Sequence, residues 1–210
     1  MKKLFYRIRY GRPVVLVSGL PRSGTSMLMQ MLEKGGVPVV TDKIRTPDPD
    51  NPKGYHEFER IKDLDKSKDK SWLGQYRGQV IKTISFLLQD LPLDLNYKVI
   101  FMRRNLEEVL QSQNKMLERN GAKNELVPDE KMRRNYEFHL KKVYYQLNST
   151  PNFEVLYVEY SAVVEDPLPE ATRINAFLGG GLNVTAMVSA VESSLYRNRQ
   201  AAAPAQPSCS

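Results

Sequence analysis

Gly19 and Gly24 bracket a short loop that also carries Arg22 and the hydroxyls of Ser23, Thr25 and Ser26. Glycine at both ends lets the backbone turn sharply and approach a ligand closely. The apolar run that follows starts a helix, whose first N–H groups have no partner within the helix and point toward the loop. A guanidinium, three hydroxyls and several backbone donors at one helix N-terminus make a site for a multiply charged oxyanion. A second constellation lies further on, in Arg103-Arg104-Asn105-Leu106-Glu107-Glu108-Val109-Leu110-Gln111-Ser112. Arg104 offers a forked set of donors and Ser112, two helical turns later, a further hydroxyl, so the two can hold one phosphate group between them.

These residues need elements to hold them. Val14-Val15-Leu16-Val17 is rich in β-branched residues and reads as a buried strand of a parallel sheet. The helix from about Gly24 to Lys34 carries Met27, Leu28, Met29, Met31 and Leu32 around most of its circumference, which predicts burial, and Gly35-Gly36 ends it. Lys98 to Met102 is a further strand, followed by a helix from Asn105 to about Arg119 with Leu106, Val109, Leu110, Gln113 and Leu117 on one face. Ser112 borders that apolar stripe and can face a cleft beside the sheet. Val37 to Val40 and Gln79 to Lys82 read as short strands, and the Pro- and Asp-rich stretch 46–54 as a loop. Glu57 to about Lys70, with Phe58, Ile61 and Leu64 at helical spacing, predicts a surface helix. A long helix is expected from Asp129 to Leu147, a strand over Phe153 to Val158, and a helix from Asp166-Pro167 to Gly179-Gly180-Gly181. Alternating strands and helices predict an α/β fold, a three-layer α/β/α sandwich around a mostly parallel sheet. Both anion-binding constellations then sit at carboxyl ends of strands, where open α/β sheets bind ligands. Residues 1–200 are expected to form a single domain and 201–210, small and polar with two prolines, a disordered tail.

Gly19-x-x-x-x-Gly24 has the spacing of the nucleotide-binding P-loop, but Thr25 stands where that loop has its lysine, and the cation sits at Arg22 instead. Val99 to Asn105 contains no aspartate, which weighs against an ATP-magnesium site. The chain has 210 residues, 41% of them hydrophobic and 26% charged, which suits a globular domain with a real core. Net charge is +7 and the isoelectric point is about 9.4. The basic residues are scattered without an aromatic-interleaved stripe, so the excess charge favours a pocket for an anion over a nucleic-acid surface. No apolar run is long enough to span a membrane, and no signal-peptide core follows the basic Met1 to Arg9. The single cysteine, Cys209, allows no disulfide framework and no cysteine-based metal site. These features predict a cytoplasmic protein.

Gly19-Leu20-Pro21-Arg22-Ser23-Gly24-Thr25-Ser26 resembles the 5′-phosphosulfate loop of sulfotransferases that use 3′-phosphoadenosine 5′-phosphosulfate (PAPS), commonly Pro-(Arg/Lys)-Ser-Gly-Thr-(Thr/Ser). Arg104, Asn105 and Ser112 match the family's 3′-phosphate motif, Arg-Asn-Pro-x-Asp-x-x-x-Ser, with Leu106 in place of its proline and Glu108 in place of its aspartate. Val155 to Tyr160, Glu165-Asp166-Pro167 and Phe177-Leu178-Gly179 look like its closing strand and helix, which extends the resemblance over about residues 14–180. The chain resembles short bacterial members, with the P-loop-containing fold of the family.

The resemblance implies transfer of a sulfuryl group from PAPS to a hydroxyl or amine of a small-molecule or carbohydrate acceptor, in line and without a metal, leaving adenosine 3′,5′-bisphosphate. Pro21, Arg22, Ser23, Gly24, Thr25 and Ser26 would hold the 5′-phosphosulfate, and Arg104 and Ser112 the 3′-phosphate. Arg197 or Arg199 would close that site, as a late basic segment does in the family. Cytosolic members carry Lys-Thr-His on a strand; here Lys82-Thr83-Ile84 keeps the lysine, expected at the transferred group, and lacks the histidine. Asn51-Pro52-Lys53-Gly54-Tyr55-His56-Glu57 looks like the Asn-Pro-x-Gly-Tyr-x-Glu stretch of bacterial members, which makes Glu57 the first choice of base and His56 the second. His139 reads as structural. The alternatives are a P-loop phosphotransferase or nucleotide kinase, and a non-catalytic nucleotide-binding relic of the fold.

Overall fold

Every residue of β1 (Val14–Gly19) is buried, as its unbroken apolar run requires of a central strand. The computed structural model describes residues 9–42, 44, 56–119, 121 and 129–191. β1 pairs in parallel with β2 (Val80–Lys82) on one side and β3 (Tyr97–Arg103) on the other, and β3 pairs in parallel with β4 (Phe153–Glu159). The sheet order is β2-β1-β3-β4. The chain leaves β1 toward one edge and β3 toward the other, so the carboxyl ends of β1 and β3 bound a topological switch point, the place for a ligand crevice.

Successive β1 side chains enter two different cores. Val15 and Val17 pack with Leu28, Met29, Met31 and Leu32 of α1 (Thr25–Lys34) and with residues of α5 (Tyr160–Glu165), α6 (Pro167–Leu178) and α7 (Val184–Ser189). Val14 and Leu16 pack on the opposite face with Ile61 of α2 (Glu59–Lys62), with Trp72 and Leu88 of two 3-10 segments (Ser71–Tyr76 and Ser85–Asp90), and with Val143 and Leu147 of α4 (Asp129–Ser149). α3 (Leu106–Arg119) joins α4 through Val109, Leu110 and Tyr136, with Leu20 beneath them. The expected three-layer α/β/α architecture with a parallel sheet is present. Gly35 and Gly36 end α1, with Gly36 at φ 94° and the Val37 N–H bonded to the Leu32 carbonyl.

Two local expectations are corrected, and one helix, α5, is added ahead of the expected α6. The helix expected over 57–70 is one turn, Glu59–Lys62. Ile61 and Leu64 are buried, but Asp65 to Lys70 is an unbroken polar run with no side chain to dock another turn, and the Asp63 carbonyl accepts the Lys66 and Ser67 N–H groups in a tight turn. The strand expected over 37–40 is a single bridge from Val39 to Val80, because Pro38 has no N–H to continue a ladder. The segment after β4 holds two helices, α5 and α6. Pro167 forces Asp166 out of the helical region, to φ −143°, and the Asp166 side chain then caps α6 by accepting the Leu168 N–H. The loop 46–54, residues 201–210 and Cys209 lie outside the described residues.

Candidate active site

The loop from Gly19 to Gly24 is held in place by its neighbours. A Cβ at Gly19 would lie 2.7 Å from the Met102 carbonyl oxygen of β3, so only glycine lets the loop leave β1 this close to its neighbour. Gly24, at φ 101°, is the N-cap of α1, and the Tyr160 ring fills the place its Cβ would take. No side chain caps the first turn of α1, and no acidic residue lies in it. The leading N–H groups therefore keep their attraction for an anion. Arg22 has φ 67°, in the left-handed region that side chains other than glycine rarely adopt. Ser23 is buried, and its Oγ has no hydrogen-bond partner among the described residues. An unpartnered buried hydroxyl in a loop of backbone donors fits a phosphate or sulfate oxygen.

The β3–α3 junction meets this loop. Asn105 Oδ1 accepts the N–H of Glu107 and caps α3. Arg104 Nη1 donates to the Arg22 carbonyl over 3.1 Å, and its Nε donates to Glu108 over 2.9 Å. The side chains of Arg104 and Glu108 are 8% and 5% exposed, so this ion pair is nearly dry, and removing one partner of such a pair costs about 3–5 kcal/mol. The Arg104 guanidinium also lies 4.2 Å from the centre of the Tyr160 ring. Burial raises the Tyr160 hydroxyl above its ordinary range, outweighing the pull of Arg104, so the ring stays neutral. Ser112 is buried on α3, and its Oγ accepts from Arg22 Nε over 3.1 Å. The direct partner of Ser112 is thus Arg22, while Arg104 reaches the loop through the Arg22 backbone.

On the other side of the loop, Lys82 at the end of β2 points its Nζ at Ser26 Oγ, 3.5 Å away, and at Glu57, 3.6 Å away. The second carboxylate oxygen of Glu57 lies 2.7 Å from Lys62 Nζ. Burial would lower the Lys62 ammonium, but the Glu57 and Glu59 carboxylates outweigh it and hold its pKa above the ordinary lysine value. Glu57 and Lys82 are 11% and 13% exposed. His56 stands apart: its Nε2 pairs with Glu33 over 2.9 Å, seven residues beyond Ser26 on α1 and so roughly 10 Å along the helix axis. His139 of α4 bonds through Nε2 to Ser85 Oγ at 2.8 Å and stacks on Phe86, a packed position in keeping with a structural role. Arg197, Arg199 and Asn51 to Tyr55 lie outside the described residues.

The structure therefore brings together Arg22, Ser23, Gly24, Ser112 and Arg104 on one side of the loop, and Ser26, Lys82 and Glu57 on the other; His56 is not among them. Two residues at the site have no role in the sequence reading. Glu108 is four residues after Arg104, a spacing that signals a helical ion pair. Tyr160 is far from Gly24 in the chain, and only the packing of α5 against α1 unites them.

The family model for the sulfotransferase domain matches residues 12–206. Among solved structures, the sulfotransferase domain of the Synechococcus PCC 7002 olefin synthase superposes with a TM-score of 0.55 at 15% identity, covering 94% of this chain and 91% of that one. A sulfotransferase from Alicyclobacillus acidocaldarius aligns with a TM-score of 0.46 at 17% identity, over 81% and 82% of the two chains. The sulfotransferase domain from the curacin biosynthetic pathway aligns with a TM-score of 0.49 at 14% identity, over 86% and 78%. Among curated proteins, no sequence matches significantly. The first of these structures shares the fold, and the family match spans both anion-binding segments: the chain belongs to the sulfotransferase domain family.

Proposed function

We propose that the protein transfers a sulfuryl group from PAPS to a hydroxyl or amine of a small-molecule or carbohydrate acceptor. The observation that carries this reading is the 3.1 Å contact between Arg22 and Ser112, which brings the loop after β1 and the helix after β3 to one crevice. The donor supplies an activated sulfuryl group. Arg22, the amides of Ser23, Gly24 and Thr25, and the hydroxyls of Ser23, Thr25 and Ser26 hold its 5′ end, with Pro21 shaping the turn; Ser112 and Arg104 select the 3′-phosphate, and Arg197 closes the site. Lys82, beside Ser26, takes up charge on the transferred group, so cationic side chains and helix amides meet the developing charge in place of a metal ion. Glu57 orients the acceptor and removes its proton. His56 is the less favoured base, since it pairs with Glu33 away from the loop. We read residues 1–200 as one domain, and the single cysteine, Cys209, fits a reducing compartment such as the cytoplasm.

Calorimetric titration with adenosine 3′,5′-bisphosphate, beside ADP and beside ATP with magnesium, tests the donor site. Tight binding of the bisphosphate alone is expected. Arg22→Ala and Ser112→Ala should each weaken it by about 1.5–3 kcal/mol, roughly ten- to a hundred-fold, the worth of a charged hydrogen bond. Preference for ATP with magnesium would overturn the reading in favour of a phosphotransferase. No binding of any of the three would leave a relic of the fold.

A further inference from the structure

We propose that Glu108 is a positioning residue for the donor loop: by holding Arg104, it fixes the Arg22 carbonyl and the left-handed turn that aims the Arg22 side chain. The inference rests on the donor site proposed above. Four observations lead to it. The Arg104 Nε to Glu108 bond is 2.9 Å long, and both side chains are nearly dry, so neither water nor salt competes with it. The same guanidinium donates through Nη1 to the Arg22 carbonyl at 3.1 Å, so its aim is passed directly to the loop backbone. Arg22 is at φ 67°, a conformation that persists only where its surroundings over-determine it. The Tyr160 ring closes the other side, lying under the Arg104 guanidinium and against Gly24, so Arg104 has a wall on one face and an anchor at its edge.

The carboxylate is needed for this, and not merely a side chain of that size. A planar fork with one donor taken by a carboxylate has its plane fixed; without the carboxylate, the guanidinium can turn about its stem and release the Arg22 carbonyl. Glu108 itself is set by the start of α3, since Asn105 Oδ1 lies 3.4 Å from its N–H. Glu108 touches neither donor nor acceptor in this account and acts only through Arg104.

The test compares Glu108→Gln, which keeps the shape and loses the charge, with Glu108→Asp, which keeps the charge on a shorter stem. Adenosine 3′,5′-bisphosphate affinity is measured by calorimetry, donor and acceptor KM by steady-state kinetics, and folding by thermal melting. Glu108→Gln should weaken the bisphosphate and raise the donor KM by about ten-fold, the loss expected when a charged hydrogen bond no longer holds its partner. The acceptor KM should stay within two-fold, and Glu108→Asp should recover most of the affinity. Should Glu108→Gln fail to fold, Glu108→Ala carries the test, expected to raise donor KM about ten-fold without moving acceptor KM. Folded Glu108→Gln with bisphosphate affinity within two-fold of the wild type would overturn the inference and leave the donor site standing. Equal shifts in donor and acceptor KM would also overturn it, since they mark a general structural role. A wild-type chain that binds no bisphosphate would overturn the proposed function and this inference together.

Discussion

At Glu57 the backbone and the side chain are both constrained. Its carbonyl accepts Thr41 Oγ1 at 3.0 Å and the Asp42 N–H at 3.2 Å, and its carboxylate lies between Lys62 and Lys82. The Asp42 carboxylate accepts the Glu59 N–H, chiefly for which it titrates below the usual aspartate range, so the 41–42 and 57–59 segments are tied in both directions. A carboxylate anchored this way is already placed when an acceptor arrives, which is what a general base requires. On the proposed reading, Glu57→Gln lowers kcat by about 10²- to 10⁴-fold, the usual worth of a positioned acid or base, while bisphosphate affinity stays unchanged. Steady-state kinetics alongside calorimetry checks this. Loss of bisphosphate affinity in step with kcat would instead make Glu57 an anchor for Lys82. His56, paired with Glu33, should tolerate alanine with little change in kcat.

Between elements, α4 meets the 3-10 segment that follows β2 through the Ser85–His139 hydrogen bond, with Phe86 stacked on the imidazole at 3.7 Å, and through Gln146, which donates to the Leu88 carbonyl at 2.9 Å. Burial, and then Lys142, hold the His139 pKa below the ordinary value of 6.5. The unfolded chain therefore takes up a proton at a higher pH than the folded one. The stabilisation is fully present above the unfolded pKa near 6.5 and is lost as pH falls through the lower folded value. The melting temperature of the wild type should drop between about pH 7.5 and about pH 5.5 by more than that of His139→Gln. Equal drops would show that His139 is not responsible. The loop and α1 behave differently as a unit. Gly24 against Tyr160 and the uncapped first turn leave the helix N-terminus fixed in direction and open to an anion, without any titrating group of its own.

Over the whole molecule, two helical layers on the parallel sheet place β1 and β3 side by side, so both anion-binding segments emerge at one edge. With a net charge of +7, the protein attracts a multiply charged anion before any specific contact forms. Bisphosphate affinity should fall several-fold as salt rises from about 0.05 to about 0.5 M, because screening weakens attraction from exposed charges more than the contacts of the dry crevice. Calorimetry across that range checks it; a salt-independent affinity would assign binding to the crevice alone.

The parts of this protein that could be read from the sequence are those whose geometry is local. Strand β1, the glycine-bracketed loop and α1 are contiguous, so spacing and residue type determine strand, turn and helix N-terminus together. The same holds for β3, the Asn105 cap and α3, and for Pro167, which sets the boundary before α6. Alternation of such units determined the α/β class. Only the tertiary structure decided which partner each charged group takes. Ser112 meets Arg22, Arg104 turns to Glu108 and the Arg22 carbonyl, and Glu57 lies between two lysines while the adjacent His56 faces Glu33. The Glu57 to Lys70 stretch likewise has helical spacing but one helical turn, since the sheet offers apolar cover only as far as Leu64. The physical reason is the same throughout. Backbone preference and periodicity act over a few residues, whereas a buried ion pair or an aromatic wall such as Tyr160 forms between segments that only packing brings together.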